Sequence, residues 1–293
     1  MKFKQKYYGP LINQIPQLRK YLNYSEQAYV LSNRLGGQSE ENWGSIESKL
    51  LSMMMYHALN TSLSIRLLTT HAQPLEAYAL LRVRLEQLIV FSYIIHAEKE
   101  EGFNAFLQDI KRNEFRYAKA IKNIDPELFS VVERAFADKM EYATFQAYFN
   151  EKSIDPDFDW ENDKLKRKWS PLNAFAMCQK RDKLVPQDDL ILSIKLSRIY
   201  LSIYKSASIF VHSESGIVTE NFISNLKGRP MPQNIYLFSN LVNLAQIDLI
   251  QTYEVINYLL PEKKERVVKE YESFNKNVLE DYAFVIDKLK NAL

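Results

Sequence analysis

The sequence has little of what disulfide-bonded and turn-rich folds require, with 1 cysteine and 7 glycines in 293 residues. The lone Cys178 has no partner for an internal disulfide and no neighbours at zinc-ligand spacing, which fits a reducing compartment. We interpret it as a small hydrophobic core residue on a helix. Scarce glycine and helical periodicity along most of the chain exclude a β-sandwich or a β-barrel.

The chain has 38 Lys and Arg residues and 36 Asp and Glu residues, so its net charge is +2 and neither sign of charge dominates. Binding to nucleic acid or anionic lipid would therefore need a local patch. The basic runs KLKRKW and PEKKER are short. We interpret them as solvated surface, with phosphate contact beside Trp160 or Trp169 as the alternative.

Long hydrophobic runs are also missing. The longest, Leu88 to Ile95, contains Ser92 and is far shorter than the roughly 20 residues that span a bilayer. The basic residues of the first segment are not followed by the apolar stretch of a secretion signal. The sequence therefore predicts a cytoplasmic protein that has no membrane partner.

Motifs for several kinds of chemistry are missing as well. There is no glycine-rich phosphate loop, nucleophile elbow or dinucleotide fingerprint, so we predict no nucleotide cofactor. The four histidines show no HExxH spacing and no paired cysteines accompany them, so we predict neither a metal site nor another cofactor.

Amphipathic helical patterns fill most of the chain, and 46% of its residues are hydrophobic. The patterns predict an all-α fold, a single domain over residues 1–293 with about nine helices. The third helix and the long helix that ends at His212 should lie near its centre. The predicted helices run from Leu18 to Gly36 and Gly37, from Ser45 to about His71, from Pro74 to about His96, from Phe103 to Ile121, from Asp125 to about Phe149, and from Gln187 to His212. A short helix is also predicted to begin at Ser170, and two final helices are divided by Pro261.

Two segments between the predicted helices lack a clear apolar pattern. NEKSIDPDFDWENDKLKRKW is predicted as a surface connection, and residues 213–232 as irregular structure. The final helix carries one apolar stripe, which favours docking on the chain's own core over a dimer seam. That stripe comprises Val267, Tyr271, Phe274, Val278, Tyr282, Val285 and Leu289.

Polar residues interrupt two otherwise apolar helices. Arg198, Lys205 and His212 recur every seven residues and so share one face, and Ser208 precedes His212 by four residues. In the third helix, Arg82 and Glu86 have the i, i+4 spacing of an ion pair. Because buried charges need partners, we predict that the two helices share a polar cluster, with two ordinary solvent-facing stripes as the alternative.

Three of these segments resemble the bacterial domain-of-unknown-function family 5677. They are LLRVRLEQLIVFSYII in the third helix, the tryptophan of KRKWS, and YKSASIFVHSESG. The resemblance covers about residues 45–215, which would form a family-like core, with residues 216–293 as a C-terminal helical extension. The family is similar to the wider HEPN group of helical proteins, whose ribonucleases pair an arginine with a histidine a few residues later.

The resemblance implies a HEPN-like bundle at the centre, a homodimer, and a role with RNA, such as phage defence or abortive infection. His212 matches the HEPN histidine and would act as acid or base, while Lys205 stands where the arginine is expected. Lysine lacks the bidentate fork with which arginine holds phosphate, so metal-independent RNA cleavage is one hypothesis and a non-catalytic scaffold is the other. In the scaffold, Arg82, Glu86, Lys205 and His212 would form a structural cluster. The load of 18 tyrosines and 16 phenylalanines also favours a homodimer.

Overall fold

The computed structural model describes residues 16–38, 45–71, 74–107, 170–212 and 233–291, with a few further positions between 109 and 131. Side chains at 32–38, 46, 74–75, 205–212, 233–236, 283 and 286–291 lie outside this description. Within these ranges the regular structure is helical and no strand occurs, which confirms the predicted all-α class. The described α-helices are α1 (Pro16–Gln38), α2 (Ile46–Thr70), α3 (Pro74–His96), α4 (Ala174–Leu184), α5 (Leu196–His212), α6 (Gln233–Leu259) and α7 (Lys264–Asn291).

The chain forms two compact units, one of residues 1–96 and 174–293, the other of residues 97–173. All seven α-helices belong to the first unit. The predicted division into a core over 45–215 and an extension over 216–293 stays a prediction.

The core of the first unit is built around α6. This helix packs against α1, α2, α3 and α7, and α3 also packs against α2, α4 and α5. Nearly every residue of α6 from 237 to 256 is buried, as expected for a helix that is apolar around most of its circumference. A helix from the predicted C-terminal extension thus lies at the centre of the unit.

Several predicted helix boundaries are confirmed, and each rests on a local signal. The Ser45 hydroxyl accepts a hydrogen bond from the Ser48 amide at 3.1 Å, so Ser45 caps α2 as predicted. Helix α3 begins at Pro74 and ends at His96. A 3₁₀ turn at Pro261–Lys263 divides the two final helices.

In the second unit, Asp125 caps a helical segment as predicted, since its carboxylate accepts the Leu128 amide at 2.9 Å. The start predicted for the fourth helix, Phe103, falls within a π-helical turn, Glu100–Asn104, in which the Asn104 amide donates to the Lys99 carbonyl at 2.8 Å. Several later positions up to residue 121 are helical. The surface connection predicted before Ser170 lies outside the described residues, as do the segment 213–232 and the end predicted near Phe149.

The prediction of one long helix from Gln187 to His212 was wrong, because α5 begins only at Leu196. Residues 185–195 form turns whose backbone groups are satisfied by side chains instead of by a helical ladder. The Asp189 carboxylate accepts the amides of Ile191 and Leu192, both at 2.9 Å. The Arg181 guanidinium donates to the carbonyls of Leu192 and Ile194, at 2.7 and 2.9 Å.

The start of α5 is fixed by a carboxylate from the preceding helix. Asp182 of α4 accepts the amides of Leu196 and Ser197, at 2.9 and 3.1 Å, and the Ser197 hydroxyl at 2.7 Å. These amides belong to the first helical turn and have no partner within α5 itself. Asp182 therefore acts as an N-cap supplied from a distant position in the sequence.

Two smaller boundary predictions also differ from the structure. Helix α1 continues through both glycines to Gln38. Helix α4 begins at Ala174 and not at Ser170, whose hydroxyl accepts the Leu172 amide at 3.2 Å in a turn before the helix. Serine side chains favour such turns because they satisfy backbone amides locally.

The last helix docks on its own chain, as predicted. Helix α7 packs against α1 and α6, and Val267, Tyr271, Phe274 and Val285 of its apolar stripe are buried. Cys178 is also buried, on α4, as the sequence predicted. No helix in the described part of the chain has a stretch that is both long and apolar enough to cross a membrane.

Candidate functional site

The side chain of Arg82 joins α3 to α5. Its Nε lies 3.3 Å from Glu86 Oε1, so the pair forms as the i, i+4 spacing allows. Its Nη2 donates to the Tyr204 hydroxyl at 2.7 Å, and its guanidinium carbon lies 4.3 Å from the centre of the Tyr204 ring. A carboxylate and an aromatic ring thus hold one guanidinium in place. We call this junction of Arg82, Glu86 and Tyr204 the α3–α5 seam.

A short aromatic stack continues the seam along α5. The rings of Tyr200 and Tyr204 are stacked, with centroids 4.3 Å apart, and Phe175 of α4 lies 5.4 Å from Tyr200. Burial, followed by the hydroxyl of Tyr204, raises the pKa of Tyr200 to about 12. The Tyr200 phenol is therefore neutral near pH 7, and it offers the seam a hydrogen-bonding group without negative charge.

The remaining residues that the sequence singled out lie on α5. Lys205 directly follows Tyr204, Ser208 comes one turn after Tyr204, and His212 comes one turn after Ser208. Their side chains are outside the described residues, so their predicted roles stay predictions. Arg198, in the first turn of α5, is exposed.

Arg84, two residues after Arg82 on α3, bonds to a carboxylate of α6. Arg84 is fully buried and pairs with Asp248 of α6, Nη2 to Oδ1, at 3.0 Å. Asp248 also accepts the Ser62 hydroxyl of α2 and the Ser25 hydroxyl of α1, both at 2.7 Å. Burial lowers the pKa of Arg84, while Asp248 acts to raise it.

A second buried ion pair lies six residues further along α6. Glu254 accepts the Arg181 guanidinium and the Ser92 hydroxyl, both at 2.6 Å, and His96 Nε2 lies 3.6 Å away. Burial acts to raise the pKa of Glu254, but Arg181, His96 and Ser92 together hold it below its ordinary value. Arg181 also donates to Ser92 at 2.8 Å, so α3, α4 and α6 meet at this cluster.

These buried pairs were missed in the sequence, although a signal was present. Asp248 and Glu254 are two carboxylates in a largely apolar stretch of α6. Carboxylates inside a helix that is apolar all round are stable only with cationic partners, so the pattern indicates arginines on neighbouring helices. It could not have indicated which arginines.

No group of three or more His, Cys, Asp or Glu side chains is arranged to hold a metal ion among the residues described. The described site is thus an arginine, a carboxylate and two phenols at the junction of α3 and α5. These side chains can bind an anion or a polar group of a ligand. They can also fix the orientation of the following turns of α5.

Comparison with known proteins places the chain in a family. Residues 48–229 match DUF5677, a family of unknown function. That span begins in α2 and includes Arg82, Glu86, Arg181 and all of α5, whereas α6 and α7 lie beyond it. No curated protein and no solved structure matches the chain. Because the matched span exceeds half of the sequence, the chain is a member of the DUF5677 family.

Proposed function

We propose that this protein binds RNA at the α3–α5 seam, as a HEPN-like RNA-associated protein of the kind that acts in phage defence. One observation carries the proposal: the guanidinium of Arg82 is fixed against Tyr204, the residue directly before Lys205. In a near-neutral chain, phosphate binding requires a local group of cations, and the guanidinium of Arg82 and Lys205, the next residue of α5 after Tyr204, are the cations this proposal assigns to it. A guanidinium that is already held in place also loses little conformational entropy on binding.

Cleavage of the bound RNA is the finer part of the proposal. His212 lies two turns after Tyr204 on α5, and imidazole titrates near neutrality, which suits transfer of a proton to or from a ribose oxygen. Lys205 would stabilise negative charge on the phosphate as a point charge. This chemistry requires no metal ion.

A non-catalytic scaffold is the second candidate, and a specific observation favours it. Glu86 and Tyr204 already engage Arg82, and Tyr200 stacks on Tyr204. A guanidinium bound in this way can simply tie α3 to α5. In that case the polar residues of the seam contribute to stability and not to ligand binding.

Replacing His212 with alanine separates the two candidates. Under the catalytic proposal, His212→Ala abolishes cleavage of single-stranded RNA, because a positioned proton donor or acceptor contributes roughly a hundred- to ten-thousand-fold. The melting temperature stays unchanged. Lys205→Arg preserves or raises the cleavage rate, because arginine can hold phosphate through two hydrogen bonds. The readouts are product formation on labelled RNA and thermal unfolding of the full chain.

Binding is measured separately, by fluorescence anisotropy with the same RNA at several salt concentrations. We expect weak binding that falls steeply with salt and is further reduced in Lys205→Ala, while Lys276→Ala on α7, an exposed lysine, leaves it unchanged. Binding without turnover would refute cleavage and leave the RNA-binding proposal in place. Absence of binding, together with a loss of about 1 to 3 kcal/mol of stability in His212→Ala, would establish the scaffold.

A further inference from the structure

Helix α2 presents an apolar stripe to solvent. Met53, Tyr56, Leu63 and Leu67 are 62%, 63%, 42% and 52% exposed, although the opposite face of the same helix is buried in the core. Large apolar side chains scattered singly over a surface need no explanation, but a contiguous row marks an interaction site. These four lie on one face together with Asn60, which is also exposed.

The spacing of the stripe is that of a helix-pairing seam. Positions 53, 56, 60, 63 and 67 are separated by three, four, three and four residues, the a and d repeat of two heptads. They cover about 21 Å of helix at 1.5 Å per residue. Asn60 occupies the central position of the stripe.

The charge pattern indicates what pairs with this stripe. Residues 50–65 contain no Asp, Glu, Lys or Arg, in a chain in which 25% of residues are charged. Between Met53 and Leu63 this face has no cation, and Lys49 and Arg66 stand only at its two ends, so its centre offers nothing to phosphate or to an anionic lipid surface, which are recognised through cations. A second copy of the same neutral face meets it without like-charge repulsion.

The stripe is also complementary to itself. Measured from Asn60, its apolar members lie at −7, −4, +3 and +7, so a two-fold axis through Asn60 sets Met53 against Leu67 and Tyr56 close to Leu63. In such an interface the same patch serves both subunits. The two Asn60 amides face each other at the axis, where each can donate to and accept from the other.

We infer that α2 is a homodimer interface, in which the stripe Met53, Tyr56, Asn60, Leu63 and Leu67 of two copies pairs about a two-fold axis at Asn60. Two heptads form a short seam, so the dimer is reversible and depends on protein concentration. The inference is independent of RNA binding, because no stripe residue belongs to the α3–α5 seam.

Sedimentation equilibrium of the full chain over a range of concentrations tests the interface. We expect a monomer–dimer equilibrium in the wild type and a dissociation constant at least about tenfold higher in Leu63→Glu, because a carboxylate would be buried in an apolar seam. Leu279→Glu is the matched control, since Leu279 is an exposed leucine on α7, at 83%. It should leave the equilibrium unchanged.

A cysteine cross-link tests the position of the axis. Asn60→Cys should form a disulfide-linked dimer with oxidised glutathione, whereas Leu279→Cys should not. The native Cys178 stays silent because it is buried, and burial raises its pKa to about 12. A chain that is monomeric at every concentration, a dimer that Leu63→Glu leaves intact, or equal cross-linking at both positions would overturn the inference.

Discussion

Asp248 connects four helices through a single carboxylate. Its two oxygens accept from Ser25, Ser62 and Arg84, so α1, α2 and α3 all bond to α6 at this point. Neither Arg84 nor Asp248 is more than 1% exposed, so both charges have left water. The pair is stable only while it is complete, because a lone buried charge has no solvent to compensate it.

Replacing Asp248 with asparagine should therefore be costly, although the side chain hardly changes in size. The variant leaves the buried guanidinium of Arg84 without its counter-ion, and we expect the free energy of unfolding to fall by about 3 to 5 kcal/mol. The double variant Arg84→Met, Asp248→Leu removes both charges and should recover most of that loss. Equilibrium unfolding in urea measures all three chains.

The exposed Asp188→Asn is the control, and it should change stability by less than about 0.5 kcal/mol. If Asp248→Asn lost no more than this control, the pair would not hold the helices together. A double variant less stable than the single variant would show that the serine hydroxyls and not the ion pair dominate the junction.

Helix α5 carries the candidate site, and its first turn depends on Asp182 of α4. Removal of that carboxylate in Asp182→Ala leaves two backbone amides and one hydroxyl of α5 without their acceptor. We expect a loss of about 1 to 2 kcal/mol, the usual effect of deleting an N-cap. We also expect faster hydrogen exchange at the amides of Leu196 and Ser197, which mass spectrometry of peptides from α5 can measure.

Asp188→Ala is the matched control for this prediction, because it removes an aspartate from the turn segment before α5. Exchange at the start of α5 should stay at the wild-type rate in that variant. Equal protection in Asp182→Ala and the wild type would mean that another group caps the helix.

At the scale of elements, the predictions that succeeded rest on neighbours in sequence. The hydroxyl that caps α2 lies three residues before the amide it bonds, and Pro74 and Pro261 restrict the backbone where they stand. The turns before α5 were missed for the opposite reason. Their carbonyls are satisfied by Arg181, and their Asp189 by Tyr253 of α6, neither of which a local pattern indicates.

The candidate site also contains one contact that could be predicted from the sequence and others that could not. The pairing of Arg82 with Glu86 follows from one turn of helix and could be predicted. The contact of Arg82 with Tyr204 joins residues on different helices and depends on how α3 packs against α5. The partner of Arg84 was not predicted, because it lies on α6 and only the folded core decides which neighbouring helix receives a buried charge.

At the scale of the whole molecule, the Arg84–Asp248 pair and the Arg181–Glu254 pair both use carboxylates of α6, so stability of the first unit depends on the charges of that helix. The fold lowers the pKa of Glu254, against the effect of burial, through Arg181, His96 and Ser92. In the unfolded chain its pKa returns to the ordinary value of 4.5. The unfolded state therefore binds a proton more readily than the folded state does.

This difference predicts the direction of acid unfolding. Above pH 4.5 the carboxylate is ionised in both states and its stabilising contribution is complete. As the pH falls below that value the unfolded state takes up the proton first, so stability decreases until the folded pKa is passed.

Glu254→Gln should lower stability at pH 7 by about 3 to 5 kcal/mol, because Arg181 stays buried without its counter-ion, and should flatten the acid dependence. Glu265→Gln is the matched control: Lys269 lowers the pKa of Glu265 too, but both side chains are exposed and salt screens their interaction. Urea unfolding at several pH values below 5 should therefore show the wild-type slope in Glu265→Gln and a shallower one in Glu254→Gln. Identical slopes in all three chains would mean that Glu254 does not govern the response of the core to acid.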